Sequence, residues 1–491
     1  MIINHKFTAF GKNDIRGIYG EDVTEDLFYY VGRAFVAYIL ENSNEIHKNI
    51  WVTVVRDARL HSESLTKALI KGITHMGANV IDLGLAPTPI GYYSEFAGIP
   101  SDITAGKHVM GSLIVTASHN PSEYNGLKMT FNKASVTEDS IKRVKELTAE
   151  QMTADHIGSR RGIIKSYDIL PAYIEAMSNK FPNVGEGIKV VVDSANATAG
   201  VVAPELYREL GCEVIELFSE PDGRFPNHHP NPSDEKTLDE LKAVVKDEQA
   251  DLGIAFDGDS DRIGVVDSSG NYLTGDKLLL VYALDVISDL VKRGEKPTVV
   301  SEVKCSQVLY DTIDEHGANA VMCKTGHGYI KDKMKETEAI LAGEMSGHMF
   351  FKDRYYGFDD AVYAGCRIIE IIAKNKKNNP EFKLEDLLIP FTQVHTSSEV
   401  RFHCPNELKT VVLTMLQKRV EEDSNMFAKP IKGIITLDGL RLVFDDGFAL
   451  IRQSNTEPVF TLRFEAKDKK QCDVYKNVML EQLQECIDAS K

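Results

Sequence analysis

Residues 51–84 read WVTVVRDARLHSESLTKALIKGITHMGANVIDLG, and this stretch decides the fold. WVTVVRD at 51–57 has the apolar run of a buried strand. SESLTKALIKGITHMG at 62–77 spaces its apolar residues as an amphipathic helix and closes near a glycine, and NVIDLG at 79–84 is a second strand. Strand, helix and strand in succession is the grammar of an α/β layer. SLIVTASHNP at 112–121 repeats it: an apolar run ends in a small-residue polar loop, where α/β proteins usually place their ligands.

Working outward, a second unit opens around Tyr167, with a strand at 188–192, a loop at 193–199, a helix from near 200 and a strand at 212–217. The segment 220-EPDGRFPNHHPNPS-233 reads as a crossing or turn, followed by a helix near 234–247 and the strand 251–256 with its acidic loop. A third region predicts a helix near 276–292, strands at 298–303 and 318–324 around a helix near 305–316, loops at 325–331 and 343–348, and a helix at 359–375. NKKNNPEF at 375–382 reads as an exposed connector. The last unit, from near 390, predicts a helix in TVVLTMLQKRVEED, successive strands in GIITLDGLRLVFDDGFALIRQS and VFTLRFEA, and a closing helix, so the end is α+β. The earlier regions share a strand-loop-helix theme without a close sequence repeat.

Composition bounds the function. A chain of 491 residues exceeds a single core and calls for two to four compact units. Hydrophobic residues at 43% and charged residues at 26% describe ordinary folded domains. The formal charge of −17 opposes binding to nucleic acid or an anionic membrane, whereas a few cations focused in a cleft still suffice for a small phosphate. Seven scattered cysteines without a CxxC pair argue against a disulfide framework and for a reducing, cytoplasmic setting. The opening MIINHKFTAFGKNDIRG lacks the layout of a targeting signal, and no segment approaches 18 uninterrupted apolar residues. The expected partner is a small molecule, handled by a monomer or small homo-oligomer.

Four loops carry chemistry. In 257-DGDSD-261 three carboxylates at spacing two follow an apolar strand, and hard oxygen ligands of this kind suit Mg²⁺, which often shares its shell with phosphate. Gly258 lets backbone approach closely and Ser260 favours a turn. A solvated acidic turn or a calcium loop is the alternative, although the spacing is not that of an EF-hand. In 116-TASHNPSEYNGLKM-129 a loop serine can present its oxygen, His119 can orient or transfer a proton, and Lys128 adds positive charge; the plain alternative is a capping or turn serine.

The third loop, 343-GEMSGH-348, is preceded by 324-KTGHGYIK-331. Glu344, Ser346 and His348 offer an acceptor, a hydroxyl and an imidazole able to read vicinal sugar hydroxyls, on curvature allowed by Gly343 and Gly347; an ordinary glycine-rich turn is the other reading. In 452-RQSNTEP-458, Arg452 can grip phosphate through its fork while Ser454, Asn455 and Thr456 complete an anion nest, unless the segment is only a capped turn with Arg452 in a surface ion pair.

Together, and in this order, the four loops resemble those of the α-D-phosphohexomutase family, most closely its bacterial phosphomannomutase/phosphoglucomutase branch, from 13-NDIRG-17 to 452-RQSNTEP-458. The resemblance implies three related mixed-sheet α/β domains plus a C-terminal α+β domain around a central cleft, divided as 1–165, 166–270, 271–386 and 387–491. It implies Ser118 as the phosphoserine, and Asp257, Asp259 and Asp261 as Mg²⁺ ligands completed by a phosphate oxygen on Ser118. Arg16, His119, Lys128, Arg262 and His327 fall at positions of the reaction centre, with His327 a candidate for proton transfer. Lys324, Glu344, Ser346 and His348 look like sugar contacts, and Arg452, Ser454, Asn455 and Thr456 like the clamp for the phosphate that is not transferred.

The implied reaction exchanges a phosphoryl group between C1 and C6 of a hexose phosphate through a hexose 1,6-bisphosphate, which also serves as activator. The GEMSGH wording is similar to that of enzymes taking mannose or glucose phosphates, since glucosamine-phosphate relatives typically differ at the Met345 position. The rival readings are a phosphoglucosamine mutase, a phosphatase using Ser118, and a noncatalytic sugar-phosphate binding protein. Two departures stand out: Ala197 where many relatives carry glycine, and extra length near 372–382.

Overall fold

A computed structural model describes residues 7–154, 161–454 and 458–490. Four sheets succeed one another along the chain. The first holds β1 (Ile15–Ile18), β2 (Trp51–Arg56), β3 (Asn79–Leu85), β4 (Gly111–Val115), β5 (Tyr124–Phe131), β6 (Ala134–Ser135) and β7 (Ile164–Ser166). Its order is β1-β5-β4-β2-β3-β7, with β6 beside β5. Strands β4, β2, β3 and β7 run parallel, and β5 lies antiparallel to both β1 and β4. The sheet is therefore mixed. Its central strands are buried, β4 throughout and β2 up to Val55, which explains why their sequences read as apolar runs.

The helix Ser62–His75 of the opening stretch buries Leu65, Leu69, Ile70 and Ile73, side chains worth about 1.5–3 kcal/mol each when fully buried. It packs on the helix Glu25–Glu41, which starts at Thr24, whose hydroxyl accepts the Leu27 N–H. The two helices meet backbone to backbone: a Cβ on Gly72 would sit 2.0 Å from the Tyr29 carbonyl oxygen, and one on Gly32 2.4 Å from that of Leu69. A side chain at either position would push the pair apart.

The second sheet comprises β8 (Lys189–Asp193), β9 (Glu213–Leu217), β10 (Leu252–Phe256), β11 (Ile263–Asp267) and β12 (Tyr272–Leu273), in the order β12-β11-β10-β8-β9. It too is mixed, with β9, β8 and β10 parallel and β11 antiparallel to its neighbours. The third has β13 (Thr298–Glu302), β14 (Asn319–Cys323), β15 (Leu341–Gly343) and β16 (Met349–Phe351), in the order β14-β13-β15-β16. The fourth is antiparallel and contains β17 (His395–Thr396), β18 (Val400–His403), β19 (Gly433–Ile435), β20 (Leu440–Phe444), β21 (Gly447–Gln453) and β22 (Val459–Ala466). Helices Lys409–Glu422 and Lys469–Ala489 share its core through Val412, Leu416, Tyr475 and Met479, which makes this part α+β.

The chain divides into two compact units, residues 1–274 with 346–383 and residues 275–345 with 384–491. Among the described residues no helix is long and apolar enough to cross a membrane. The seven cysteines are free and buried.

Three local expectations shift. Residues 375–378 form the last turn of the helix Ala361–Asn378 instead of a connector; Lys376 and Lys377 suit the carbonyl end of that helix, and Lys376 pairs with Asp251. The helix from near 200 splits into a 3-10 turn, Thr198–Val201, and the helix Ala203–Glu209, whose first turn accommodates Pro204. Ala197, where the resemblance led to an expectation of glycine, has φ −118°, so alanine fits there, and the left-handed conformations of this loop fall on Ala195 and Asn196.

Candidate active site

Two interior strands of the first unit end in the loops that matter. β4 runs into Thr116, Ala117 and Ser118, and β10 into Asp257. Ser118 takes a left-handed φ of +50°, and its N–H is held by the Thr116 hydroxyl at 2.9 Å. Its hydroxyl donates to Asp257 Oδ2 at 2.8 Å and lies 3.2 Å from His119 Nδ1. The close approach anticipated at Gly258 is explicit: a Cβ there would lie 2.4 Å from the Ser118 carbonyl oxygen.

Asp257, Asp259 and Asp261 are buried, with carboxylate oxygens within 4.8 Å of one another. Such a triplet repels itself, and the surrounding donors compensate. Asp257 Oδ1 accepts the N–H groups of Asp261 and Arg262 at 3.1 and 3.2 Å. Asp259 Oδ2 accepts the Thr88 hydroxyl at 2.5 Å and the Lys128 ammonium at 2.7 Å; Lys128 also reaches Asp261 Oδ2 at 2.5 Å. Burial alone would lower the Lys128 pKa, but Asp259 and Asp261 raise it well above its ordinary value. Burial and the charges of Asp259 and Asp261 push the Asp257 carboxyl up. His119 is pushed well down by burial and by Arg262 and Arg16, so its ring is neutral. Oδ1 of Asp259 is buried without a hydrogen-bond partner. Converging hard oxygens with an unused lone pair fit a small divalent cation.

Arg16, on β1, donates to Asn120 Oδ1 at 2.9 Å and pairs with Asp14, so it joins the far side of the Ser118 loop. Arg262 follows the acidic loop: its Nε donates to His348 Nε2 at 3.3 Å and lies 3.9 Å from Asp257 Oδ2. His348 in turn stands 3.2 Å from Asp261 Oδ1 and 3.0 Å from the Ser346 hydroxyl, and the Ile263 N–H bonds the Gly347 carbonyl at 3.1 Å. The SGH half of the GEMSGH loop is thus stitched to the acidic loop.

In the second unit, Glu344 is buried and its Oε1 accepts the Gly326 N–H at 2.7 Å. That bond fixes the KTGH loop ahead of the helix His327–Thr337, which places His327 at its first turn. The Thr325 N–H donates to Asp438 Oδ2 at 3.1 Å, and the same oxygen accepts Arg452 Nε at 3.1 Å. The backbone of the loop between Lys324 and His327 is therefore joined to Glu344 through Gly326 and to Arg452 through Asp438. The Ser454 carbonyl accepts the Lys409 ammonium at 2.9 Å. Asn455 and Thr456 lie outside the described residues.

Sequence reasoning passed over Thr88, Arg59, Asp438 and Lys409. Thr88, the first residue of the helix Thr88–Phe96 that follows β3, holds Asp259 through both its hydroxyl and its N–H. Asp438 sits in an unremarked turn, 438-DG-439, before β20. Polar residues at strand ends are too common for these to be singled out without the partner they meet.

With this geometry in view, comparison with known proteins is decisive. All four domains described for phosphoglucomutase/phosphomannomutase match in chain order: alpha/beta/alpha domain I at residues 8–155, domain II at 171–270, domain III at 274–388 and the C-terminal domain at 399–482. The chain is 38% identical over 483 residues to the phosphomannomutase/phosphoglucomutase of Pseudomonas aeruginosa, covering 98% of this chain and 96% of that protein. It is 37% identical over 460 residues to the phosphoglucomutase of Neisseria gonorrhoeae, covering 93% and 92%. A crystal structure of a phosphoglucomutase/phosphomannomutase family protein from Burkholderia thailandensis superposes with a TM-score of 0.86 at 35% identity, over 97% of each chain. Fold and site thus define a four-domain α/β enzyme. The chain belongs to the phosphoglucomutase/phosphomannomutase family.

Proposed function

We propose that the protein interconverts the 1- and 6-phosphates of a hexose, mannose and/or glucose, with phospho-Ser118 as the phosphoryl carrier. The observation that carries this reading is the Ser118 hydroxyl, 2.8 Å from Asp257 Oδ2 beside two further buried carboxylates. Each of the segments 1–165, 166–270, 271–386 and 387–491 supplies one loop to the reaction. The names of the relatives, which pair phosphomannomutase with phosphoglucomutase, support the substrate choice.

In the first half-reaction the bond between phosphorus and Ser118 Oγ breaks, and a bond forms to the free hydroxyl of the bound hexose monophosphate. The hydroxyl gives its proton to a base, for which we name His327, in the first turn of the helix His327–Thr337, and the released Ser118 Oγ takes up one proton from water. The product is a hexose 1,6-bisphosphate. After turning over, it returns its other phosphoryl group to Ser118, so atoms and charge balance over the cycle. Arg452, with Ser454, Asn455 and Thr456, holds the phosphate that stays behind, and Glu344 and Ser346 orient the ring hydroxyls. Arg16, Lys128 and Arg262 offset the negative charge gathering around Ser118.

Asp257, Asp259 and Asp261, with a phosphate oxygen on Ser118, would hold Mg²⁺, which when bound polarises the transferring group and neutralises charge near the bridging oxygen. Neutral His119 beside the hydroxyl orients Ser118 without adding charge. Initial rates on mannose, glucose and glucosamine 1-phosphates test the reading: conversion of the first two supports it, and strong preference for the third overturns the substrate assignment.

A further inference from the structure

Arg59, in the turn after β2, has no place in the scheme above, yet every donor of its side chain is used close to Ser118. It is 2% exposed. A guanidinium has five N–H donors in a fixed fork, and here all are engaged. Nε donates to Asp57 Oδ2 at 3.1 Å. Nη1 donates to the carbonyls of Pro121 and Tyr124 at 2.5 and 3.1 Å, and Nη2 to those of Ser118 and Asn120 at 2.8 and 2.6 Å. Four of the five bonds therefore end on successive turns of the loop that presents Ser118.

The clamp is itself held from two sides. Asp57 Oδ1 accepts the Arg59 N–H at 3.0 Å and the Ser62 hydroxyl at 2.5 Å, anchoring the turn to the start of the helix Ser62–His75. From the second domain, the Phe225 ring covers the guanidinium at 5.2 Å, and Gly223 approaches so closely that a Cβ there would lie 2.4 Å from the Ala58 carbonyl oxygen. This gives a use to the segment 220–233, which otherwise reads only as a turn.

We propose that Arg59 is a positioning residue for phosphoryl exchange at Ser118, acting through the backbone of residues 118–124, with Phe225 as its cap. The proposal rests on Ser118 being the phosphoryl carrier. Ser118 sits at φ +50°, a conformation non-glycine residues seldom hold unaided, and its hydroxyl must return to one place whether or not it carries a phosphate. Four carbonyl bonds from one rigid, buried cation hold that backbone in both states. Lysine, with three donors on a flexible stem, holds it only in part.

The test compares Arg59→Met, Arg59→Lys, Phe225→Leu and Ser118→Ala with the parent protein. The readouts are glucose 1-phosphate kinetics in Mg²⁺ and glucose 1,6-bisphosphate, the fraction of Ser118 phosphorylated by intact mass, and Tm. Displacing a reacting group by about 1 Å costs on the order of a hundredfold. Arg59→Met is therefore expected to lower kcat about 100-fold with KM within threefold, Arg59→Lys to recover about tenfold of that, and Phe225→Leu to lower kcat several-fold at unchanged KM. A folded Arg59→Met variant with kcat within threefold of the parent overturns the proposal, as does a kcat loss that lysine leaves unrelieved and that tracks Tm alone. Should Arg59→Met not fold, Arg59→Lys and Phe225→Leu decide: lowered kcat at constant KM in both supports the clamp, and parental kcat in both overturns it. An active Ser118→Ala variant overturns the carrier reading and this one with it, whereas an inactive Ser118→Ala beside an unimpaired Arg59→Met overturns this one alone.

Discussion

The Ser118 hydroxyl and the Asp257 carboxylate, 139 residues apart in the sequence, form a buried hydrogen bond of 2.8 Å. Neither residue is unusual alone. Their meeting depends on two interior strands of mixed sheets, β4 and β10, each ending in a loop whose backbone reaches the other: the Ser118 carbonyl faces the Cα of Gly258.

That contact leaves no room for a methyl group. Gly258→Ala would place its Cβ 2.4 Å from the Ser118 oxygen, so one loop must move. The expected result is a loss of kcat of about 100-fold, the scale set by misplacing a reacting group by 1 Å. Steady-state rates checked against Tm separate this from unfolding.

Lys128 lies between Asp259 and Asp261 with all three side chains buried. Removing one member of such a group leaves uncompensated charge, a cost of about 3–5 kcal/mol. Lys128→Met should lose stability on that scale in urea titrations, and added Mg²⁺ should restore part of it. Asp259→Asn should instead weaken Mg²⁺ binding at least about tenfold by calorimetry, the loss produced even by groups one shell further out.

Arg452 gives Nε to Asp438, and the phosphate clamp proposed above would use its two Nη groups. A hydrogen bond to a charged group contributes about 1.5–3 kcal/mol, so Arg452→Lys should raise KM for glucose 1-phosphate at least tenfold with a smaller effect on kcat. Asp438→Asn should follow the same direction more weakly. Initial-rate measurements at saturating bisphosphate check both.

Glu95, at 5% exposure beneath the first sheet, has its carboxyl raised from 4.5 to about 7 by burial, against the opposing bonds from Thr130 and Lys133. A folded-state value above the unfolded one means the folded chain binds the extra proton. Its contribution is full below pH 4.5 and is lost as pH rises through about 7. The shift corresponds to a few kcal/mol at most. The parent Tm should therefore fall between pH 5 and 8, and Glu95→Gln should flatten that slope, since the amide can donate to Thr130 and accept from Lys133.

How much of this was legible beforehand follows from the range of each interaction. The alternation of strands and helices in 51–84 is a local consequence of which faces are buried, and the structure follows it closely. Ser118, the aspartate triplet and Gly258 were legible because their loops stand in one order with two others, a combination far rarer than any of the loops alone. The run 375–378 misled because lysine and asparagine look like linker, although at a helix end they are favourable. Arg59 and Thr88 were invisible for another reason. They act on carbonyls and carboxylates about 60 and 171 positions away, and only tertiary packing says which arginine finds a partner.

The central claim is that Ser118 carries the phosphoryl group. Protein charged with phosphate at Ser118, confirmed by peptide mass, is mixed in excess with hexose 1-phosphate and Mg²⁺ for a single turnover. The account predicts that phosphate leaves Ser118 and appears in hexose 1,6-bisphosphate, with none transferred by Ser118→Ala. Phosphate released only to water, or undiminished conversion by Ser118→Ala, would contradict it.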